Sequence, residues 1–302
     1  MATAEPLLKK LAASIRRVGL IANPEKAHHC ANLVRRAAKI LRAQKRAVWC
    51  DPTTAEMIPG ELPVAMSLDD LGRRSDLLLV FGGDGTMLRV AHDIAGMPVP
   101  LLGINAGHLG FLTAVQAEQL APALKKLPAG RFAVEERDLL EATVQRGPER
   151  TIHKALNDFV LSRGAASRLI ELEVKVNGEL LTRYRCDGFI ASSPTGSTAY
   201  SLAAGGAIVS PDAQVFVLTP ICPHTLSIRP VVVNLHSTVQ VTLLSERLIA
   251  TLTADGQTTT ELGRGDTVTI RRSDRTLRLM RLEGTSFFST LRQKLAWSGS
   301  NV

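Results

Sequence analysis

The sequence predicts an N-terminal α/β domain with a parallel sheet, followed by a C-terminal domain that is rich in β-strands. In the first part, short apolar runs alternate with helix-like stretches, which is typical of a parallel sheet with helices on its faces. Near Gly130–Arg137 the pattern changes, and strand signals with alternating apolar residues dominate from there. With 302 residues, of which 45% are hydrophobic, the chain is long enough for two domains.

Apolar runs and helical spacing define the elements of the first part. Leu77–Phe81 has five apolar residues in a row, as a buried parallel strand does. The other predicted strands are Arg17–Ala22, Ala47–Cys50 and Pro100–Ile104. Helices are predicted over His29–Lys45, Met87–Ile94 and Gln116–Leu127.

The second part predicts an antiparallel sandwich or stacked sheets. Ile170–Val176 alternates apolar and polar residues, Asn177-Gly178 is a strong hairpin-turn signal, and Glu179–Arg185 is the returning strand. We therefore predict three parts: residues 1–135, residues 136–285, and a helical tail, 286–302, that packs back on the first domain. Further strands are predicted at Val231–Asn234, Thr238–Leu244, Leu248–Ala254, Asp266–Arg271 and Leu277–Leu282.

Composition excludes several classes of protein. The 36 Lys+Arg against 28 Asp+Glu give a charge of +8, but these residues are dispersed and aromatic residues are 4%, which disfavours nucleic-acid binding. No apolar run approaches the ~20 residues of a membrane span, so no membrane partner is expected. The four cysteines form no C-x-x-C pair, so no structural zinc site or disulfide framework is expected. The basic N-terminus lacks an unbroken apolar core, so we do not expect it to act as a secretory signal. A cytoplasmic location is therefore expected.

A glycine-rich segment with one carboxylate follows the Leu77–Phe81 strand. The segment is Gly82-Gly83-Asp84-Gly85-Thr86, at the sheet edge where ligands bind in open α/β folds. Glycines there let main-chain N–H groups approach phosphate oxygens. A carboxylate in such a loop repels phosphates, so Asp84 indicates a proton acceptor or a Mg²⁺ contact. The alternative is a glycine-rich turn with Asp84 as a helix cap.

Several well-known signatures are absent from the sequence. It contains no G-x-x-x-x-G-K-[ST] and no G-x-G-x-x-G, so neither the P-loop nor the usual dinucleotide fingerprint is present. It contains neither H-E-x-x-H nor G-x-S-x-G. A phosphotransferase with this sequence would therefore be of neither the P-loop nor the protein-kinase type.

Three further segments carry candidate ligand contacts. Gly103–Phe111 is a second glycine-rich loop, in which His108 either contacts a phosphate or is structural. Asp187–Ser201 is rich in Ser and Thr hydroxyls that could serve ribose or phosphate oxygens, and Tyr200 offers a stacking face; a Ser/Thr-rich helix cap is the alternative. Asn157-Asp158 places two polar groups within an apolar strand, where either a ligand or an ordinary turn contact would satisfy them.

These segments resemble the bacterial NAD kinase family, which uses ATP or polyphosphate. G-G-D-G-T alone also occurs in diacylglycerol and sphingosine kinases, whereas G-I-N-x-G-x-L-G-F-L-T and S-P-T-G-S-T-A-Y are specific to NAD kinases. The resemblance implies a phosphofructokinase-like α/β N-terminal domain and a β-rich C-terminal domain of the NAD kinase/diacylglycerol kinase type. The matching segments, in order, are Gly82–Thr86, Gly103–Thr113, Asn157-Asp158, Asp187–Gly206, Thr219–Pro230 and Asp255-Gly256-Gln257.

The resemblance implies a role for each matching residue. Asp84 is the proton acceptor, Asn157 and Asp158 hold the adenine and ribose hydroxyls, and Asp187 lies near the nicotinamide. Asp158 stands where many members have the longer glutamate. Gly82, Gly83, Gly85 and Thr86 form the phosphate loop for ATP. The implied contacts to NAD come from Asp84, Gly85, Arg89, Asn157, Asp158, Arg168, Arg185, Asp187, Thr198, Ala199, Tyr200, Ser201, Leu202, Ala203 and Gln257.

The implied activity is transfer of the terminal phosphate of ATP to the 2′-hydroxyl of the adenosine ribose of NAD, with Mg²⁺ as cofactor. Members of the family commonly form dimers or tetramers, so a homo-oligomer is expected. Two alternatives stay open. A lipid kinase of the diacylglycerol type would lack the S-P-T-G-S-T-A-Y segment, and a non-catalytic dinucleotide-binding regulator would have lost the aspartate of G-G-D-G-T, which is Asp84 here.

Overall fold

The computed structural model describes residues 12–107, 109–113, 115–164, 168–246 and 248–297. These residues fold into two compact units. The first unit contains the described residues up to Glu136 and from Leu277 onward, and the second contains those from Arg137 to Thr276. The three-part division proposed from the sequence, 1–135, 136–285 and 286–302, stays a prediction.

Strands and helices alternate in the first part of the chain. The strands up to residue 146 are β1 (Arg17–Ala22), β2 (Ala47–Cys50), β3 (Leu77–Gly82), β4 (Leu101–Asn105), β5 (Val115–Gln116) and β6 (Phe132–Arg146). The helices between them are α1 (Ala27–Ala43), α2 (Pro52–Met57), α3 (Leu68–Arg74), α4 (Asp84–Asp93) and α5 (Leu120–Lys126).

Strands dominate the rest of the chain. They are β7 (Glu149–Ala155), β8 (Asp158–Ser162), β9 (Ile170–Val176), β10 (Glu179–Cys186), β11 (Gly188–Ser192), β12 (Val215–Ile221), β13 (Val231–Asn234), β14 (Val239–Leu243), β15 (Ala250–Ala254), β16 (Thr258–Leu262) and β17 (Thr267–Leu282). The short α6 (Tyr200–Ala203) follows β11, and α7 (Phe287–Lys294) follows β17.

The first unit is a parallel sheet with the order β2-β1-β3-β4, and β4 also pairs with β5 and with Leu279 of β17. Every residue of β3 is buried, as expected for a central strand that is covered on both faces. The strand order reverses between β1 and β3, because β2 lies on one side of β1 and β3 lies on the other. In open α/β sheets this switch point is where ligands bind.

The second unit is built from antiparallel strands. One sheet has the order β13-β12-β11-β8-β15-β16. The other sheet has the order β10-β9-β14-β17 in this unit. Side chains from both sheets share one core, in which the rings of Tyr184 and Phe189 lie 5.6 Å apart. The positive φ angles of Asn177 (53°) and Gly178 (84°) are those that a tight hairpin turn requires.

The predicted fold class, an α/β unit followed by a β-rich unit, is confirmed. The bounds of β1, β2, β9 and β13 coincide with the prediction. Three predictions were wrong in detail. The helix predicted over Gln116–Leu127 is a 3-10 turn (Ala117–Gln119) followed by α5, α4 begins at Asp84 rather than Met87, and the last two predicted strands are one strand, β17.

Candidate functional site

The first group of candidate residues lies where β3 ends and α4 begins. Gly82 is the last residue of β3, Gly83 is the N-cap of α4, and Asp84 is its first residue. A carboxylate in the first turn of a helix is stabilised by the helix dipole. Asp84 therefore lies at the carboxyl edge of the parallel sheet, next to the switch point between β1 and β3.

The Asp84 carboxylate is fixed by main-chain donors from the loop that follows β4. The N–H of Phe111 donates to Oδ2 at 2.8 Å, and the N–H of Leu112 donates to Oδ1 at 3.1 Å. Gly110 makes this approach possible, because a Cβ atom there would overlap Oδ1 of Asp84. Each carboxylate oxygen can accept more than one hydrogen bond, so Asp84 keeps acceptor capacity for a ligand.

Space for phosphate groups exists beside Asp84. A Cβ atom added to Gly83 or Gly85 would meet no atom within 4 Å, and Gly85 is exposed. Gly82, in contrast, is packed against the buried Thr86, whose Oγ1 a Cβ atom would overlap. The two open glycines and the N-terminus of α4 together form a surface that main-chain N–H groups can present to an anion.

The loop after β4 is held by its own side chains. Asn105 is buried, accepts from the N–H of Gly107 at 2.7 Å, and donates through Nδ2 to Oγ1 of Thr113 at 3.1 Å. Gly103 is also closely packed, with Cα of Thr113 2.9 Å from the position of a Cβ atom. His108, a candidate phosphate contact, lies outside the described residues.

Arg89 lies on α4, near the buried Asp51 that follows β2. Nη2 of Arg89 is buried and has no hydrogen-bond partner among the described residues. Burial raises the pKa of Asp51, while bonds from Thr54 and the charge of Arg89 act in the opposite direction. A buried guanidinium nitrogen in need of an acceptor fits the predicted role of Arg89 as a ligand contact.

In the second unit, Asp255 organises the segment that contains Asn157 and Asp158. Its carboxylate accepts from the main-chain N–H groups of Leu156 (2.7 Å), Asn157 (2.8 Å) and Asp158 (3.1 Å). Asp255 lies in the turn between β15 and β16, where it and Gly256 have positive φ angles of 51° and 67°. Asp255 belongs to the matching segment Asp255-Gly256-Gln257, but its role in holding residues 156–158 was not predicted from the sequence.

Asn157 and Asp158 do not share a strand, contrary to the sequence-based interpretation. Asn157 lies in the bend between β7 and β8, and Asp158 is the first residue of β8. Asp158 is buried, and burial together with the nearby charge of Asp255 raises its pKa to about 7. The Asp255 carboxylate stabilises this bend, because it accepts the N–H groups of Leu156, Asn157 and Asp158.

The Ser/Thr-rich segment packs directly on this bend. The N–H of Ser193 donates to the main-chain oxygen of Asn157 at 2.8 Å, and Oγ of Ser193 donates to the oxygen of Leu156 at 2.6 Å. Gly196 must be a glycine, since a Cβ atom there would overlap the oxygen of Asn157. The structure thus brings Asn157, Asp158 and this segment together.

Most serine hydroxyls of the segment are used inside the protein. Ser197 donates to the oxygen of Pro194 at 2.7 Å, and Ser201 shares a hydrogen bond with Thr219 at 2.9 Å; both serines are fully buried. Their hydroxyls stabilise the turn, as in the Ser/Thr-rich cap that the sequence offered as the alternative. Contacts of residues 198–203 to NAD stay a prediction. Tyr200, by contrast, is exposed on α6, together with the exposed Ala203. Thr198, Ala199 and Leu202 are partly buried.

The remaining candidates of the second unit are spread more widely. Gln257 is exposed in the turn next to Asp255. Asp187 lies between β10 and β11 and forms an ion pair with Arg163 at 2.6 Å, while Arg185 pairs with Glu171 at 3.2 Å. Arg168 is exposed before β9.

Asp187 is separated from Asp158 along β11. Ser192 pairs with Asp158 and Gly188 pairs with Ser162, so Asp187 lies beyond the opposite end of the strand. Asp187 is five residues from Ser192, so at ~3.4 Å per residue the separation along the strand is roughly 17 Å. The two predicted contacts therefore suit different parts of an elongated ligand.

Comparison with known proteins identifies the family. A model of the ATP-NAD kinase N-terminal domain matches residues 18–132, and a model of the ATP-NAD kinase C-terminal domain matches residues 156–282. The chain belongs to the NAD kinase family. The resemblance drawn from the glycine-rich and S-P-T-G-S-T-A-Y segments is thereby confirmed.

Relatives and solved structures of the NAD kinase family agree with this result. The chain is 49% identical to the NAD kinase of Moorella thermoacetica over 74% of this chain and 72% of the relative. It is 41% identical to the NAD kinase of Desulforamulus reducens over 92% of this chain and 96% of the relative. Yeast NADH kinase complexed with NADH superposes with a TM-score of 0.85 at 26% identity, covering 95% of this chain and 89% of the other.

A second solved structure is the NAD kinase from Archaeoglobus fulgidus in complex with ATP. It has a TM-score of 0.73 at 27% identity and covers 94% of this chain and 100% of the other. None of the helices among the described residues is long and apolar enough to cross a bilayer.

We expect Gly110→Ala to destabilise the protein by about 1–3 kcal/mol, because the added methyl group overlaps the Asp84 carboxylate and forces a shift. Urea unfolding at 25 °C measures the difference. The control is Gly263→Ala, where the nearest atom lies 3.9 Å from the added Cβ; it should stay within about 0.5 kcal/mol of wild type. Equal stability of both variants would contradict the close approach of Gly110 to Asp84.

The raised pKa of Asp158 predicts a pH dependence of stability. Between the ordinary carboxyl pKa of ~3.9 and about 7, the folded state binds one proton more than the unfolded state. The contribution of Asp158 to the free energy of unfolding therefore falls as pH rises through this window and then stays level. We expect Asp158→Asn to lose less stability than wild type between pH 5 and pH 8 in urea unfolding.

The control for this experiment is Asp212→Asn. Asp212 is exposed, and its hydrogen bond with Ser210 lowers its pKa, so it is ionised at pH 5 and above. The control should show the same change with pH as wild type. A wild-type pH dependence in Asp158→Asn would mean that Asp158 is ionised throughout the window.

Proposed function

We propose that this protein transfers the terminal phosphate of ATP to the 2′-hydroxyl of the adenosine ribose of NAD, forming NADP. The observation that carries the proposal is the Asp84 carboxylate, fixed by two main-chain N–H groups between two glycines with open space beside them. Membership of the NAD kinase family and the ATP and NADH complexes of its solved members support it.

The proposed phosphate site is the glycine-rich turn at the start of α4. Gly83 and Gly85 leave room for phosphate oxygens to approach the main chain, and the positive end of the helix dipole favours them. Phosphoryl transfer has a loose transition state, so the reaction depends mainly on positioning and charge neutralisation. An open turn on a rigid sheet edge provides positioning.

The donor set of this turn fits a Mg²⁺ ion that is held mainly by phosphates. No group of three or more His, Cys, Asp or Glu side chains capable of holding a metal occurs within the described residues. Mg²⁺ commonly binds through one or two carboxylates plus substrate phosphates and water, and Asp84 keeps acceptor capacity for this. When bound with ATP, the ion neutralises phosphate charge.

Asp84 is the proposed proton acceptor. Its two hydrogen bonds to main-chain donors fix the direction of the carboxylate before any substrate binds. An aspartate carboxylate is intrinsically a poor base for an alcohol. The 2′-hydroxyl becomes acidic only as its oxygen bonds to phosphorus, so a weak base that is correctly oriented is sufficient.

Recognition of the nucleoside is proposed for the second unit. Asn157 and Asp158 would bind the adenine and the ribose hydroxyls, and the exposed ring of Tyr200 would stack on the base. Arg185 and Asp187 would lie towards the nicotinamide. Within this unit, the support is the rigid bend that Asp255 imposes on residues 156–158.

Two expectations from the sequence stay predictions: a cytoplasmic location and a homo-oligomeric state, either dimer or tetramer. Incubation of the pure protein with ATP, Mg²⁺ and NAD, followed by enzymatic detection of NADP, tests the function directly. A lipid kinase or a non-catalytic regulator would form no NADP under these conditions.

We expect Asp84→Asn to lower turnover by roughly 10²-fold or more, the usual range for a positioned acid–base group. The amide has nearly the same size but cannot take the proton, and the affinity for NAD should change little. Steady-state kinetics and calorimetric titration with NAD measure the two quantities. Turnover like that of wild type would remove Asp84 from the mechanism.

Asp158→Ala should raise the KM for NAD far more than the KM for ATP, because the change removes contacts to the nucleoside only. Both constants come from initial rates with one substrate varied at saturation of the other. An equal rise in both would indicate that Asp158 is a structural residue. The matched control is Asp212→Ala, an exposed carboxylate of the same unit, which should leave both constants unchanged.

A further inference from the structure

The C-terminal helix α7 contacts the loop that holds Asp84. The ring of Phe287 lies 6.1 Å from the ring of Phe111, with the two planes tilted by 40°. Nζ of Lys294, about two turns further along α7, lies 5.1 Å from the centroid of the same Phe111 ring. Both distances fall in the range of favourable aromatic and cation–π contacts, so α7 restrains Phe111 at two points.

Phe111 is the residue whose N–H donates to Oδ2 of Asp84 at 2.8 Å. Its neighbour Leu112 donates to Oδ1 at 3.1 Å. The ring of Phe111 and its N–H belong to one residue, so a restraint on the ring also limits movement of the donor. Phe287 is thus two contacts away from the proposed proton acceptor, and all these residues belong to the first unit.

Helix α7 is itself well anchored to that unit. Ser286 and Ser289 form a reciprocal capping box at its start, and Leu291 is buried. Just before the helix, Glu283 donates its N–H to the oxygen of Arg131 at 3.1 Å and accepts from Lys126 at 2.8 Å. An anchored helix can transmit its position to Phe111, whereas a loose tail could not.

We propose that Phe287 is a positioning residue for Asp84, acting through the ring of Phe111 and the main-chain N–H groups of Phe111 and Leu112. The proposal rests on the proposed function of Asp84 as proton acceptor. It gives the C-terminal helix a role in catalysis without contact to any substrate. Displacement of a catalytic group by about 1 Å can cost 10²-fold in rate, so a modest loosening of the loop is measurable.

The neighbouring Phe288 provides a matched control. It lies on the same helix, has the same chemistry and is 60% exposed. Its ring lies 5.4 Å from that of Phe287 in an edge-on contact, but among the described residues it has no ring contact with Phe111. Removal of the Phe288 ring keeps the contact between Phe287 and Phe111, and should therefore leave the two N–H donors to Asp84 in place. Two further variants separate loss of the ring contact from a general loss of folding in Phe287→Ala. Phe287→Leu keeps apolar volume but removes the ring, and Phe287→Tyr keeps the ring.

The first measurement is amide hydrogen exchange of the substrate-free protein. In Phe287→Ala and Phe287→Leu, we expect exchange at the amides of Phe111 and Leu112 to rise at least fivefold, because local opening becomes easier. Phe287→Tyr and Phe288→Ala should exchange like wild type at both amides. Unchanged exchange in Phe287→Ala and Phe287→Leu would overturn the proposal, whether or not the protein phosphorylates NAD.

The second measurement is turnover with ATP and NAD. Phe287→Ala should lower kcat about tenfold and change the KM for NAD less than twofold, while Phe288→Ala should match wild type. In an Asp84→Asn background, Phe287→Ala should have no further effect on the residual kcat, because its effect acts through that carboxylate. An equal tenfold loss in that background would overturn the proposal. A wild-type protein that forms no NADP would instead refute the proposed function.

Discussion

Two hydrogen bonds to one carboxylate determine the geometry of the first candidate site. Asp84 follows a fully buried strand and opens a helix, so its main chain is fixed by the sheet. Its side chain is fixed separately, by the N–H groups of Phe111 and Leu112. Hydrogen bonds to a charged group contribute about 1.5–3 kcal/mol each. The close packing of Gly103 and Gly110 follows from the need to bring this loop against the carboxylate.

In the second unit too, a carboxylate accepts hydrogen bonds from main-chain N–H groups and fixes a segment of the chain. Asp255 accepts hydrogen bonds from three consecutive N–H groups, of Leu156, Asn157 and Asp158, and so stabilises the bend between β7 and β8. The Ser193–Ser197 turn is then built on the carbonyl oxygens of that bend. In both units a carboxylate from one segment satisfies main-chain donors of a segment distant in sequence, as buried donors require.

The sequence predicted the fold class, the order of elements and the motif that contains Asp84, because these depend on local apolar patterns. The start of α4 was missed because glycine has low helix propensity, and Gly83 and Gly85 surround the first helical residue. The bend at Asn157 was missed because Asp255, whose carboxylate stabilises it, lies 98 residues away. Local patterns carry no information about such a pair.

The Ser/Thr-rich segment illustrates a different limit. Its hydroxyls suggested ligand donors, yet Ser193 and Ser197 satisfy carbonyl oxygens of neighbouring turns and are fully buried. Composition indicates which groups can form hydrogen bonds, but burial decides which of them can reach a ligand.

The donors to Asp84 are main-chain groups, and this has a consequence for how the loop tolerates change. Every residue except proline carries an N–H, so many side chains at position 112 would preserve the bond to Oδ1. Position 110 tolerates only glycine, since any side chain there would overlap the carboxylate of Asp84. As this loop diverges in sequence, selection should therefore be strictest at Gly110, which has no reactive group. A proline at 111 or 112 would remove an N–H donor to Asp84, and should be as damaging as many substitutions of catalytic residues.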